Sequence, residues 1–402
     1  MDILKKLFTL LLIIAFPLGE IAKFSFDNGI SFTANDVAVF TVFLYWGYRV
    51  LLGKNKLKGK LRKPFLIFSV LASVSLLLNV PKYPVNQILV AFLYLVRWVV
   101  YSSIYFSAVN FSKEVKKYIK QLMYVSGLLI ALIGYGQYFF YSNLKNLYYL
   151  GWDDHLYRLF SSFLDPNFAG IILVLVFILS FAMFYESLSK QGNGKFLFGI
   201  SSLIIFISIF LTYSRSAIIA LIVSAFVFLS LMKMKKLILV FVFIIFAMLV
   251  LSPDAFIREN TNFFRTASSG ARLESINYSI EIFKSSPVYG IGFNAYRYSL
   301  YQHGFISGKL WEVSHGGSAP DNSFLFVLAT TGVVGFAGFL YLLYSMFKRV
   351  CEQISSNKKE IMSVVFIASL SGVLASSFFI NSFFYSFILA WIWLLAAVTE
   401  NS

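Results

Sequence analysis

Residues 253–320 form a polar interval of 68 residues in a chain that is otherwise strongly apolar. Its arginine and histidine side chains are Arg258, Arg265, Arg272, Arg297, His303 and His315. The interval ends at Asp321-Asn322-Ser323, where the next apolar segment begins. Guanidinium groups bind anions, and imidazole exchanges protons near neutral pH. A connection of this composition therefore indicates the place where a membrane protein does its chemistry.

Two further arginines lie where they could bind an anion. Arg215 sits in a short connection between apolar segments, and its neighbours Thr212, Tyr213, Ser214 and Ser216 all form hydrogen bonds. This pattern indicates a small polar pocket suited to a lipid phosphate, and the alternative is an arginine that only reaches interfacial water. Arg97 lies inside an apolar segment, where an arginine is costly. It either pairs with a carboxylate for helix packing or binds a buried anion.

Arg272 begins a segment with apolar residues at helical spacing, which predicts an amphipathic helix over about 271–284. The apolar positions are Leu273, Ile276, Ile280 and Phe283. We expect this stripe to lie on the membrane surface. A cation in the first turn opposes the helix dipole, so Arg272 has another purpose. That purpose is either anion binding or pairing with Glu274 or Glu281.

Composition places the whole chain in a membrane. Hydrophobic residues make up 59% of the sequence and charged residues 13%, against about 25% charged in soluble domains. Mean hydropathy is +0.77. We predict an all-α polytopic protein, residues 1–402 forming a single transmembrane domain of twelve helices, the first one retained. The predicted spans are 4–20, 33–52, 64–80, 87–109, 121–142, 167–187, 196–213, 216–232, 237–252, 322–347, 361–380 and 383–399.

The distribution of charge predicts the orientation of these spans. One set of connections, with both termini, holds 22 basic and 6 acidic residues, and the other holds 11 basic and 12 acidic residues. The basic side faces the cytoplasm in membrane proteins. The 253–320 loop, between spans nine and ten, is therefore expected on the outer face. The net charge of +16 reflects topology rather than nucleic-acid binding.

Motifs of soluble enzymes are missing from the sequence. The chain has no G-x-S-x-G elbow, HExxH, CxxC or Walker sequence, and its single cysteine, Cys351, excludes an internal disulfide. The Gly290-Ile291-Gly292 run lacks a strand–helix context, so we interpret it as a tight turn that returns the chain to the surface. Asp153-Asp154 is interpreted as a solvated pair rather than a metal site.

The order of the polar motifs is more specific than any one of them. Arg158 and Leu164-Asp165-Pro166-Asn167-Phe168 precede one span, and Thr212-Tyr213-Ser214-Arg215-Ser216 joins two others. Arg272, Pro287–Phe293 and Pro320-Asp321-Asn322-Ser323 then follow in that order. Over roughly residues 150–350 this order resembles the O-antigen ligase and O-antigen polymerase superfamily of bacterial envelope glycosyltransferases.

The resemblance implies a GT-C-like glycosyltransferase of the bacterial inner membrane that uses no nucleotide sugar and no metal. Its donor would be a glycan on undecaprenyl pyrophosphate at the outer leaflet. Arginines would stabilise the departing pyrophosphate, with Arg215 and Arg272 first and Arg158 and Arg97 behind them. Tyr213, Asn167 and Asn322 would support these groups. The bilayer and a chain-length regulator protein are expected partners.

One position departs from the ligase pattern. Ligases of this superfamily typically carry His-Asn where this chain has Asp321-Asn322, and the Asp-Asn version is more similar to polymerases. Either Asp321, if its pKa is raised, or His315 would be the base, and Asp321 could instead only cap a helix. We therefore favour an O-antigen or exopolysaccharide polymerase over a ligase that transfers glycan to lipid A-core or another acceptor. A twelve-span transporter or flippase and an envelope scaffold are the alternatives from other classes.

Overall fold

The computed structural model describes residues 2–26, 30–53, 58–150, 152–189, 194–250, 267–307, 311, 318–355 and 360–400. The chain is mostly helical, as the sequence predicted. Two short strands, β1 (Lys23–Ser25) and β2 (Ser31–Thr33), form an antiparallel hairpin that the sequence did not predict. Three residues per strand are too few for an alternating pattern to be recognised.

Helices make up most of the described chain. In chain order they are α1 (Asp2–Leu10), a π-helical turn (Leu11–Ala15), α2 (Phe16–Leu18), α3 (Ala34–Leu51), α4 (Arg62–Leu78), α5 (Val85–Ala108), α6 (Lys113–Phe140), α7 (Pro166–Ser189), α8 (Lys195–Leu211), α9 (Arg215–Leu231), α10 (Lys235–Val250), α11 (Ala267–Ser285), α12 (Tyr296–Gln302), α13 (Ser323–Ser355), α14 (Ile361–Ser376) and α15 (Ser386–Thr399). Single 3₁₀ turns lie at Val80–Lys82, Lys145–Leu150 and Ser161–Phe163.

Each of the twelve predicted spans contains helix. Among the described residues, α5, α6, α7 and α13 are long and apolar enough to cross a membrane. The helices α8, α9, α14 and α15 are apolar but shorter. These features agree with an all-α membrane protein, and the crossing of the bilayer by all twelve segments stays a prediction.

Small residues let the central helices approach closely. A Cβ atom added at Gly372 of α14 would lie 2.0 Å from Ser224 Oγ and 2.8 Å from the Ala220 carbonyl oxygen of α9. A Cβ atom at Gly170 of α7 would lie 2.6 Å from Ala217 Cβ at the start of α9. Close packing at small residues is a common way to associate helices in a bilayer. The contact between Gly170 and Ala217 holds the start of α7 against the start of α9.

Helix α13 is kinked at Gly332, where φ is +63°. The segment 287–292 packs into the kink, and the N–H groups of Ile291 and Gly292 donate to the carbonyls of Ala329 and Thr330 at 3.1 Å each. Backbone that departs from helix must find partners inside the protein when it lies in an apolar medium. The turn predicted at Gly290-Ile291-Gly292 is present. The prediction that it returns the chain to the surface was wrong, because all three residues are buried.

Helix α11 is longer than the predicted segment 271–284 and places Arg272 in its second turn rather than its first. Ile282 is fully buried in a cluster with Ile291, Tyr296 and Leu300. Phe283 packs against this cluster, so its assignment to a membrane-facing stripe was wrong. The side chains of Leu273 and Ile280 are exposed. Packing through Ile282 therefore holds α11 against the segment that fills the kink of α13.

A buried ionic cluster closes the bundle far from α11. The Arg349 Nη1 atom lies 2.5 Å from Glu400 Oε2, and both side chains are buried. Tyr105 donates to the same carboxylate, and the Lys60 N–H donates to its other oxygen at 3.0 Å. Lys116 donates to the Glu400 carbonyl. The cluster joins the end of α15 to α5, α6 and α13.

Candidate active site

In the turn before α13, the residue that caps the helix is Asn322 and not Asp321. Asn322 Oδ1 accepts the N–H groups of Phe324 and Leu325 at 2.9 Å each, and its Nδ2 donates to the Phe378 carbonyl at 3.3 Å. These contacts make Asn322 the N-cap of α13. The interpretation of Asp321 as only a cap was wrong, since the neighbouring asparagine provides the capping oxygen. The carboxylate of Asp321 is left outside the cap on an exposed residue.

Helix α11 is tied to this turn by one hydrogen bond. The backbone N–H of Asp321 donates to Ser275 Oγ at 3.2 Å. Arg272 precedes Ser275 by three positions, and residues three apart share one face of a helix. The guanidinium of Arg272 is therefore presented on the side of α11 that faces Asp321. The charge of Arg272 acts to lower the pKa of Asp321, and the charge of Asp321 acts to raise the pKa of Arg272. Each group therefore favours the ionised form of the other.

Desolvation and neighbouring charges shift both groups. Burial raises the pKa of the Asp321 carboxyl above its ordinary value, with Arg272 opposing this and Asp165 and Asp153 adding to it. Burial also lowers the pKa of Arg272, as does the charge of Arg215, while Asp321 and Asp165 oppose the shift. Asp321 is thus accessible to solvent and still surrounded by enough protein to disfavour its charge. A carboxyl with a raised pKa is suited to accepting a proton.

The connection between α8 and α9 brings Arg215 to the same region. Tyr213 has a left-handed backbone with φ of +48°, which reverses the chain within three residues. Ser214 caps α9 by accepting the Ala217 N–H at 3.3 Å. Arg215 is then the first residue of α9, and its charge lowers the pKa of Arg272. The site therefore has two guanidinium groups from different elements.

The start of α7 meets the start of α9. Asp165 Oδ1 accepts the N–H groups of Asn167 at 2.6 Å and Phe168 at 3.3 Å. Asn167 Oδ1 in turn accepts the hydroxyl of Ser214 at 3.0 Å. Two helix N-termini therefore lie next to each other, and each carries partial positive charge. Together with Arg215 and Arg272 this arrangement favours a bound anion such as a phosphate.

Residues 200–340 match the family model described as O-antigen ligase. This part of the chain is therefore similar to O-antigen ligases. The match covers about a third of the chain and includes Arg215, Arg272 and Asp321. It confirms the resemblance to the O-antigen ligase and polymerase superfamily. A search of curated proteins found no match.

Two of the predicted arginines lie outside the matched region 200–340 and have structural partners. Arg158 is buried, and its Nε donates to the Thr212 carbonyl at 2.9 Å at the end of α8. It fixes the connection that carries Arg215. Arg97 Nε lies 3.0 Å from Asp36 Oδ1, and its Nη2 lies 3.1 Å from Asp36 Oδ2. This bidentate pair favours the helix-packing alternative for Arg97, so we leave it out of the anion site.

His315 lies outside the described residues, as do Arg258 and Arg265. His155 is buried in the connection before α7, with a left-handed backbone at φ of +44°. Where the structure describes the chain, no group of three or more His, Cys, Asp and Glu side chains could hold a metal ion. Metal independence stays a prediction.

Three contributors to this site were missed by the sequence interpretation. Asp165 was quoted in a motif without a role, although an aspartate before Pro-Asn is a recognisable helix start. Ser275 gave no signal, because a serine inside a helical pattern is ordinary. Glu20 gave no signal either, because it stands at the end of the first apolar segment and was counted only as a charge. Tyr385 contacts Glu20 and lies near Asp165, so it links the two carboxylates.

Proposed function

We propose that the protein is a membrane glycosyltransferase that polymerises undecaprenyl-pyrophosphate-linked oligosaccharide repeat units. The observation that carries the proposal is the placement of Arg272 beside Asp321, held by the hydrogen bond from Asp321 to Ser275 Oγ. An anion-binding group and a proton acceptor then lie close to each other. Arg215 and the N-termini of α7 and α9 add further positive charge to the same region.

The chemistry is a displacement at the anomeric carbon of the donor glycan. An acceptor hydroxyl oxygen forms the new glycosidic bond, while the bond from that carbon to the pyrophosphate oxygen breaks. Asp321, or His315 in the alternative, takes the hydroxyl proton. Arg215 and Arg272 stabilise the negative charge that develops on the leaving lipid pyrophosphate. No metal is required, and we expect activity to survive treatment with a chelator.

We place this chemistry at the outer leaflet of the bacterial inner membrane. Twelve spans with cytoplasmic termini put the connections that carry Asp165, Arg215, Arg272 and Asp321 on one face, which the charge distribution assigns to the outside. Undecaprenyl-linked glycan would enter from the bilayer. A chain-length regulator protein would bind the complex from the same membrane.

A ligase is the second candidate, and the description of the matched family favours it. Such an enzyme would transfer a finished chain to lipid A-core or another acceptor. We favour the polymerase because Asp321-Asn322 stands where ligases of the superfamily typically carry His-Asn. The two functions differ in the chains that accumulate when the enzyme is absent.

Deletion of the gene tests the proposal. If the protein is a polymerase, lipid carriers with a single repeat unit persist and long chains disappear from the lipid-linked pool. If it is a ligase, long lipid-linked chains accumulate instead. A normal profile of both pools and of surface polysaccharide would contradict both functions. Complementation with the wild-type gene should restore the normal profile, and complementation with Arg215→Ala should not. This matched pair separates loss of transfer from loss of the protein.

A further inference from the structure

Glu20 lies at a fixed position beside the candidate active site. Gly19 follows the end of α2, and its φ of +56° turns the chain. The Glu20 N–H donates to the Ser162 carbonyl at 2.8 Å. A Cβ atom at Gly19 would lie 2.4 Å from the same carbonyl oxygen. The first helices are thus docked tightly against the 3₁₀ turn just before Asp165. The Glu20 side chain keeps 10% of its surface exposed.

Three polar side chains meet at this position. Tyr385 donates its hydroxyl to Glu20 Oε1 at 3.2 Å. Lys23 Nζ lies 3.6 Å from Glu20 Oε2 and 5.6 Å from the centre of the Trp152 ring. The Lys23 side chain is 21% exposed, so the ammonium group still reaches the surface. The cluster offers carboxylate acceptors, ammonium donors and a phenol at one half-buried place.

Tyr385 connects the cluster to the anion site. Its ring stacks on Phe168 with centroids 4.0 Å apart and planes 18° apart. Phe168 is in the first turn of α7, and its N–H donates to the capping Asp165. Tyr385 also lies within electrostatic reach of Asp165. Asp165 is therefore close both to Tyr385 of the Glu20 cluster and to the Arg272–Asp321 pair.

We propose that Glu20, Lys23 and Tyr385 form a subsite that binds the hydroxyl groups of a sugar ring. An ion pair removed from water need not stabilise a fold more than apolar packing of the same volume, so stability alone does not account for this cluster. Neighbouring hydroxyls of a sugar each need a donor and an acceptor, and a carboxylate beside an ammonium group supplies both. The inference rests on the proposed function, because a phosphate bound at Arg215 and Arg272 would bring the attached glycan near Asp165, which is close to Tyr385.

The donor glycan and the acceptor glycan share this chemistry, and steady-state kinetics separates them. We would reconstitute the full-length protein in liposomes with lipid-linked repeat units and vary donor and acceptor concentrations independently. Glu20→Gln keeps the shape and the contact to Tyr385 but loses the charge. It should raise KM for one of the two substrates about tenfold, the effect of losing one charged hydrogen bond, with kcat little changed. The substrate whose KM rises is the one that occupies the subsite.

Matched variants separate binding from folding. Glu186→Gln changes another partly exposed glutamate in an ion pair, with Lys120 at 2.7 Å, and should leave both KM values unchanged. Tyr385→Phe removes the hydroxyl and keeps the stacking on Phe168, and should raise the same KM as Glu20→Gln. Unchanged KM values in Glu20→Gln and Tyr385→Phe would overturn the subsite, as would a loss of thermal stability that accounts for the whole effect.

A binding experiment keeps this test independent of glycosyl transfer. The probe is the oligosaccharide released by mild acid from lipid-linked glycans of the source cells, titrated into the full-length protein in nanodiscs by calorimetry. Binding to wild type that weakens about tenfold in Glu20→Gln supports the subsite even where wild type transfers no glycan. Equal binding by both proteins, or binding by neither, overturns it. Failure of transfer alone would count against the proposed function only.

Discussion

The backbone N–H of Asp321 donates to Ser275 Oγ at 3.2 Å. This bond joins the residue before a helix cap to the middle of α11, 46 positions earlier in the chain. Because Asn322 performs the capping, the bond to Ser275 fixes the backbone of Asp321 without using its carboxylate. Arg272 lies one turn before Ser275 and acts on that carboxylate. Asp321 is therefore held through its backbone, and its carboxylate stays available for chemistry.

Replacement of Arg272 tests the anion site. Arg272→Ala should reduce transfer about 100-fold or more, because a positioned charge that stabilises a developing anion is worth that much. Arg272→Lys keeps the charge but loses the bidentate geometry of the guanidinium group. Its transfer rate should fall between those of wild type and Arg272→Ala. Transfer from lipid-linked repeat units in liposomes is the measurement. Lys284→Ala is the control on the same helix, where Lys284 forms an exposed pair with Glu281 at 2.8 Å. Equal rates for Arg272→Ala and Lys284→Ala would remove Arg272 from the site.

The pH dependence of transfer identifies the base. A base must be ionised, so activity falls as pH drops through its pKa. The raised pKa of Asp321 places this loss at higher pH than for an ordinary aspartate, whose pKa is about 4. Asp321→Asn should lower the rate about 100-fold or more and abolish the acidic limb of the profile. If His315 is the base instead, His315→Ala removes the limb and Asp321→Asn preserves it. Asn322→Ala, which should cost about 1 kcal/mol of stability and leave the limb in place, is the control for capping.

The sequence predicted the helices well because apolar runs of span length are a strong signal, and it predicted the site less completely. Asp and Asn both cap helices, so Asp321-Asn322 could not reveal which residue does so. The burial of Gly290-Ile291-Gly292 depends on a kink at Gly332, in another part of the chain. Arg97 and Asp36 are 61 positions apart, and Tyr385 and Glu20 are 365 apart. Pairings of this kind follow from helix packing, which a single sequence does not encode in any local pattern.

The contact between Gly332 and the segment 287–292 should be essential for the position of α11. A Cβ atom at Gly332 would lie 2.2 Å from the Val288 carbonyl oxygen, and φ at this position is +63°. Gly332→Ala should therefore cost at least about 1–3 kcal/mol from backbone strain, with the clash adding to it. Transfer should fall as well, because the displaced segment is the continuation of the helix that carries Arg272. Thermal unfolding in detergent and the liposome assay measure the two effects. Gly136→Ala, inside α6 with open space around the added Cβ atom, should be neutral or slightly stabilising.

The Glu400 cluster should control stability without taking part in transfer. Glu400→Gln leaves the buried charge of Arg349 without its carboxylate, which should cost about 3–5 kcal/mol, whereas Lys116 keeps its backbone acceptor. Asp321 and Arg349 are separated by about 40 Å along α13, so transfer at low temperature should stay near wild type. Glu352→Gln changes an exposed glutamate in the same helix and should not alter the melting temperature. A selective loss of transfer in Glu400→Gln at unchanged melting temperature would contradict a purely structural role.

The single cysteine reports the orientation of the protein. Cys351 is exposed near the end of α13, beside the basic residues Lys348 and Arg349, which the charge distribution assigns to the cytoplasm. A membrane-impermeant maleimide should therefore label Cys351 in inverted vesicles and not in intact cells whose outer layers are permeabilised. The paired variant carries Cys351→Ser and Asn277→Cys, with the new thiol on the exposed side of α11. It should label in the opposite preparation, because α11 belongs to the face that holds Arg272 and Asp321. Labelling of both thiols from the same side would put the candidate site and the basic connections on one face, and the proposed outer-leaflet chemistry would fail with that result.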